Sequence, residues 1–208
     1  FTLYKTRFPP FAALFLSYSL KKAGLSVKIF DAQVDSNEKL IKLVKDNKPL
    51  MVGFSVMTGS TITYCLNICK IIKEIAPNTK TVWGGPHPTL LPEDTIKNRL
   101  IDILIISEGE ATIVELVKAL KQKSDLSQVK GMGYKANGKL IFTGPREFIS
   151  DWDNNVGMDW GGVNIKNYIN KQGKHNQIPF ITSRGCPFRC RFCWNLKANQ
   201  RRWRAWSA

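Results

Sequence analysis

Leu50–Val56 is a nearly continuous apolar run, and the apolar positions after it switch to a helical period, with Ile62, Cys65, Leu66, Cys69 and Ile72 on one face. A strand apolar on both faces has to be covered on both faces, which is the condition of a buried parallel sheet. The unit recurs downstream. Lys80–Trp83, closed by Gly84-Gly85, and Ile101–Ile106 read as further strands, and Ile113, Leu116, Val117 and Leu120 mark another amphipathic helix. Upstream, Phe11–Ala23 reads as a helix entered through Pro9-Pro10 and stopped by Gly24. Val27–Phe30 reads as a short strand ending at Asp31. Asp35–Asp46 reads as a helix with Asp35 and Glu38 at capping-box spacing and Leu40, Ile41, Leu43 and Val44 turned inward. The alternation predicts an α/β fold, a flavodoxin- or Rossmann-like parallel sheet with helices on both faces. Because the sequence opens on a helix, the central strand that would precede it is expected to be missing from this chain.

Gly131–Tyr134 and Lys139–Thr143 flank Asn137-Gly138, the strongest short hairpin signal. Residues 146–178 are polar and rich in Gly, Asn and Lys, and read as a linker; Pro179–Thr182 then opens a new strand. The expected division is 1–145 for the sheet domain, 146–178 for the linker and 179–208 for the start of a second unit. With 43% hydrophobic and 23% charged residues in 208, the chain has the composition of a globular protein with a real core. No apolar run reaches the roughly 18–20 residues of a membrane span. The longest, Phe8–Leu20, contains Pro9 and Pro10. It lacks an initiating Met and a small-residue cleavage site, which argues against a secretory signal, so a cytoplasmic protein is expected. Lys and Arg number 31 against 16 Asp and Glu, a net charge of +15. No acid follows Asp159, and ten cations there leave +5 for the first 159 residues. A basic tail interleaved with Trp194, Trp203 and Trp206 could grip nucleic acid. The reading preferred is that the balancing acids lie in sequence not present here.

The five cysteines fall into two groups. Cys65 and Cys69, four apart on an apolar helix face, read as small buried hydrophobes. Cys186, Cys190 and Cys193 stand within eight residues after a strand, among Gly185, Pro187 and arginines. An odd count and no sign of secretion argue against a disulfide framework. Zinc would need a fourth ligand, from His175 or His87. A 4Fe-4S cluster on three thiolates would keep one iron open, which suits catalysis.

Cys-x3-Cys-x2-Cys with Phe192 before the last cysteine resembles the signature of the radical S-adenosylmethionine (SAM) enzymes, which stands at the end of the first strand of their barrel. The resemblance implies that Cys186, Cys190 and Cys193 hold the 4Fe-4S cluster and that Phe192 lies near the SAM adenine. In that family the open iron chelates SAM, and reduction splits SAM to a 5′-deoxyadenosyl radical. The upstream chain resembles the cobalamin-binding domain fused to one branch of this superfamily. The matching segments are Pro9-Pro10, Leu20–Gly24, Asp31-Ala32, Val52–Thr58, Gly84–Thr89 and Glu108-Gly109-Glu110. It implies cobalamin contacts at Ser55, Met57, Thr58, Gly84, Gly85, Pro86, His87, Glu108, Gly109 and Glu110. The placement is coherent, because these segments follow predicted parallel strands and ligands bind outside the carboxyl ends of such strands. Each segment alone also has a plain reading, Gly84-Gly85 as a tight turn and Glu108 and Glu110 as acids at a helix start.

Two departures stand out. Ser107 occupies a position where the family usually has Gly. There is no Asp-x-His-x-x-Gly, so cobalt is implied to be bound without a histidine beneath it, His87 being the available alternative. The barrel needs on the order of 200 residues, and the resemblance therefore implies an N-terminal fragment that does not turn over by itself. The implied activity is methylation of an unactivated carbon of a small-molecule substrate, with methylcobalamin as methyl donor and a flavodoxin or ferredoxin as electron donor. Some relatives close rings or rearrange instead. A tRNA methylthiotransferase would need three further cysteines, where only Cys65 and Cys69 are present. A non-catalytic cobalamin carrier and a nucleic-acid-binding module are the other rivals.

Overall fold

The computed structural model describes residues 7–172 and 175–207. Its centre is a five-stranded mixed sheet in the order β1-β2-β3-β4-β5. Strands β1 (Met51–Ser55), β2 (Lys80–Gly84) and β3 (Ile103–Ile105) are parallel, and the hairpin β4 (Met132–Ala136) and β5 (Lys139–Phe142) extends the sheet antiparallel to β3. Asn137 and Gly138 at the hairpin tip take φ of 50° and 72°, the positive pair a tight hairpin requires. Helices cover both faces. Val82, Ile103 and Ile105 pack with Leu20 of α1 (Phe11–Lys22) and with Ile113, Leu116 and Ala119 of α6 (Glu110–Gln122). Trp83 and Leu104, the intervening residues of the strands, pack on the other side with Cys65 and Cys69 of α3 (Ser60–Ile75) and Ile96 of α5 (Pro92–Lys97). Leu40 and Val44 of α2 (Asn37–Asn47) close against Ile68 and Ile72 of α3. Each such aliphatic side chain contributes about 1.5–3 kcal/mol by leaving water.

Helix ends follow the local chemistry. Leu25 and Gly24 donate to the carbonyls of Leu20 and Lys21, and Gly24 takes φ 72°, a Schellman stop at the glycine. The cap of α2 is Ser36, whose hydroxyl accepts from Lys39 N, one residue later than the predicted Asp35 start. Asp35 instead pairs with Lys39 at 2.5 Å. Short α4 (Pro86–Leu90) and α5 both begin on proline, where the missing N–H costs nothing.

The structure corrects three expectations. Val27–Phe30 is not a strand. Its side chains are nevertheless used, Val27 against the α1–α6 core and Phe30 against α2 and α3, both half-buried. Alternating hydrophobicity reports which side chains are buried, and not that a ladder partner exists. The predicted Ile101–Ile106 strand is shorter, Ile103–Ile105, with single backbone bonds flanking it from Asp102 N to Thr81 O and from Ile106 N to Gly131 O. Pro179-Phe180-Ile181 is not a strand either; backbone pairing begins at Thr182, whose carbonyl accepts from Trp206 N at 3.3 Å, and continues where β8 (Ser183–Arg184) runs antiparallel to β9 (Arg204–Ala205). The returning tail is the partner there, and the local pairing is a short antiparallel clasp. Between these strands lie the three-cysteine loop and α8 (Asn195–Asn199).

Within the segment expected to be a linker, residues 152–160 pack across α1. Trp152 of α7 (Trp152–Asn155) and Val156 are buried with Phe15, and Tyr168 is buried and donates to Asp31 Oδ2 at 2.8 Å. Asp159 accepts from Ser17 Oγ at 2.5 Å and pairs with Lys21 at 2.7 Å. Asn170–Gln172 and His175–Gln177 form a small hairpin, β6 and β7. Among the described residues no helix is long and apolar enough to cross a membrane.

Candidate functional site

The carboxyl ends of β1, β2 and β3 deliver three loops to one edge of the sheet, and the loops are laced together. Val56 N donates to Gly84 O at 2.8 Å, His87 N donates to Val56 O at 3.0 Å, and Ser107 N donates to Thr89 Oγ1 at 3.0 Å. Gly85 is required for this closeness. At φ 95° it is in left-handed backbone, and a Cβ there would stand 3.1 Å from Val56 N and 3.2 Å from Val56 O. Thr58 Oγ1 lies 3.1 Å from His87 Nδ1, so these two predicted contacts meet. Ser55, Met57 and Thr58 are exposed beside fully buried Val56, and Gly84, Gly85, Pro86 and His87 are half-buried. A polar, glycine-bordered ledge with an apolar Met57 in it suits a large ligand carrying both amide and hydrocarbon surface. Below His87 a hollow of about 160 Å³ is lined by Ile62, Leu66, Trp83 and Thr95, among others.

The third loop is different. Ser107 adopts φ 69°, the left-handed conformation in which glycine is at home. Glu108 and Glu110 are buried, and their carboxylates turn to the tail. Arg184 donates from Nη1 to Glu108 Oε1 at 2.9 Å and from Nη2 to Glu110 Oε1 at 2.6 Å, and Arg204 Nη1 donates to Glu108 Oε1 at 2.7 Å. Ile149 N donates to the other Glu108 oxygen at 2.8 Å. The Arg184 guanidinium lies 5.0 Å from the Phe15 ring centre and 5.1 Å from that of Trp152. Sequence reasoning gave Arg184 and Arg204 no role. Their signal was the absence of acids after Asp159: any carboxylate that neutralised them inside this chain had to come from upstream, and Glu108 and Glu110 are those carboxylates.

Past Gly185 the three-cysteine loop is exposed at Cys190 and half-buried at Cys186 and Cys193, and all three thiols are free. Cys193 N donates to Cys190 O at 3.0 Å, which puts the last two on one turn. Phe192 is 93% exposed. Among the described residues no three Cys, His, Asp or Glu side chains converge on a common metal position. The loop thus has the donor chemistry of a thiolate-ligated cluster, three unoxidised sulfurs on an accessible turn-rich segment, without preset sulfur geometry. Among the described residues the zinc alternative gains no fourth ligand, and the His175 side chain lies outside them. Cys65 and Cys69 are buried as expected. Burial pushes both thiols up to about 11, outweighing the Trp83 Nε1 donation to Cys69 Sγ at 3.3 Å, which acts in the opposite direction. A methylthiotransferase would need three cysteines upstream of Cys186, and the sequence has two.

Residues 2–117 match the family model of the B12 binding domain. An uncharacterised methyltransferase of Pyrococcus horikoshii is 34% identical over 205 residues, which cover 96% of this chain and 43% of that protein. An anaerobic magnesium-protoporphyrin IX monomethyl ester cyclase of Cereibacter sphaeroides is 35% identical over 89% of this chain and 31% of its own length. The cobalamin-dependent S-adenosylmethionine radical enzyme OxsB, solved with aqua-cobalamin and S-adenosylmethionine, superposes with a TM-score of 0.77 at 24% identity over 97% of this chain and 28% of OxsB. The chain spans less than half the length of each of these proteins.

Proposed function

The chain belongs to the B12-binding domain family, and on that footing we propose that it is the cofactor-binding portion of a cobalamin-dependent radical SAM enzyme that methylates an unactivated carbon of a small molecule. The observation that carries the reading is the laced ledge at the carboxyl edge of the sheet, with the three-cysteine loop tied to the same edge through Arg184. Ser55 and Thr58 hydroxyls, the backbone at Gly84, Gly85, Pro86 and Gly109, and the Met57 and His87 side chains would hold cobalamin. Cys186, Cys190 and Cys193 would hold a 4Fe-4S cluster, with Phe192 covering the adenine of SAM. When bound, these groups would supply one-electron cleavage of SAM and a transferable methyl group, while the chain orients them and keeps water out. A reducing cytoplasmic setting and an electron donor of flavodoxin or ferredoxin type belong to the same proposal, since cluster reduction needs an external electron.

Titration of the chain with hydroxocobalamin, followed by anaerobic reconstitution with iron and sulfide, tests the cofactor assignment. One cobalamin per chain and a brown, iron-containing protein are expected; a colourless protein holding one zinc refutes the cluster. The reaction type is read from the enzyme that carries this chain. Methyl transfer yields S-adenosylhomocysteine together with 5′-deoxyadenosine, whereas the ring-forming chemistry named for the Cereibacter sphaeroides relative yields no S-adenosylhomocysteine. RNA affinity that falls steeply with salt would favour the nucleic-acid reading instead.

A further inference from the structure

We propose that Glu108 and Glu110 are positioning residues for the three-cysteine loop, acting through Arg184. The inference rests on the reading above for what the loop carries, but the clamp itself stands on geometry. Arg184 and Arg204 are register partners on the β8–β9 ladder, so two cations face each other in a largely buried setting. Like charges placed directly opposite on a ladder repel. Glu108 accepts from both and Glu110 takes the second arm of Arg184, which balances two carboxylates against two guanidiniums. The forked contact and the flanking Phe15 and Trp152 rings leave Arg184 little freedom to turn.

Cys186 follows two peptide units later, within about 7 Å of chain. Gly185, between them, is at φ 93°, and a Cβ on it would fall 1.8 Å from Arg202 O, so the outgoing and returning chains cross there in contact. Both ends of the cysteine loop are thereby pinned to the loop after β3. Backbone of that loop borders the cobalamin ledge through Ser107 and Thr89, while its two carboxylates face the cysteine side. One loop thus serves both cofactor positions, and the side chains of Glu108 and Glu110 are assigned to the thiol loop and not to the corrin.

Alkylation by iodoacetamide of the full chain without cofactors, read peptide by peptide, tests the clamp. Cys65 and Cys69 in the same digest report whether the core is intact. Glu110→Gln is expected to speed labelling of Cys186 about tenfold, the effect of losing one charge-assisted hydrogen bond, and Arg184→Met, which loses two, by more, with Cys65 and Cys69 unlabelled. Arg184→Lys should recover part of the protection, and the double variant should be no faster than the faster single one. The same variants should take up less iron on reconstitution yet titrate with hydroxocobalamin like the wild type. Unchanged Cys186 labelling in Glu110→Gln, or additive effects in the double variant, overturns the clamp. If Arg184→Met also exposes Cys65 and Cys69, Glu110→Gln, which removes a single ion pair, decides. A wild-type chain that takes up no iron would sink the cofactor reading, and the labelling would still settle the clamp.

Discussion

Ser107 holds a backbone conformation that costs an L residue about 1–2 kcal/mol. Glycine would remove that cost while adding about 0.4–1 kcal/mol of unfolded-chain entropy. Ser107→Gly is therefore expected to stabilise the chain by up to about 1 kcal/mol, measured as a rise in urea midpoint at constant slope. Asp102 offers a second test. It accepts from Lys73 Nζ at 2.5 Å, Thr81 N at 2.7 Å and Thr81 Oγ1 at 3.0 Å. Burial raises its carboxyl, but the Lys73 ammonium and the Thr81 donors outweigh it and hold it below the ordinary 3.8. A lowered folded value stabilises the protein above the unfolded value, and the contribution disappears as pH falls through the folded one. Asp102→Asn should lower the thermal midpoint at pH 7, and the gap to wild type should close as pH drops below about 4. A gap independent of pH would show that charge plays no part.

The helices were legible wherever a strand and its covering helix alternate, because burial on both faces leaves a period of two and a period of 3.6 side by side. The hairpin was legible from Asn137-Gly138 alone. Val27–Phe30 misled because its apolar residues are half-buried against the core without forming a strand. Around the site, the glycine turns could be read from sequence, since φ above zero is a local demand. The partners of Arg184 and Arg204 could not, because contacts spanning 76 and 96 residues leave no local periodicity. The β8–β9 clasp depends on Gly185, where any side chain strikes the Arg202 carbonyl. Gly185→Ala should open the clasp and abolish iron uptake, while hydroxocobalamin still binds and far-UV circular dichroism changes little. Normal iron content in this variant would show that the crossing is dispensable.

Across the whole molecule the basic tail is less unbalanced than its composition suggests, since Arg184 and Arg204 draw on acids more than seventy residues away. The tail also joins an aromatic seam: Trp206 packs against Phe15, Trp152 and Phe180, and Phe180 stacks on Trp160 with ring centres 6.0 Å apart. Trp206 Nε1 donates to Val156 O at 3.1 Å and ties the tail to segment 146–163. Buried ion pairs and a shared apolar seam couple the tail to α1 and to the loop after β3, so the sheet and the cysteine loop should melt as one unit. The expected result is coincidence of two thermal curves, far-UV circular dichroism for the sheet and Cys186 labelling for the loop. Hydroxocobalamin at 100 times its dissociation constant should stabilise by about 2.7 kcal/mol and move both curves together. If the labelling transition came first and ignored the ligand, the tail would be an independently melting appendage, and the ion pairs to Glu108 and Glu110 would be too weak to carry information between the two cofactor positions.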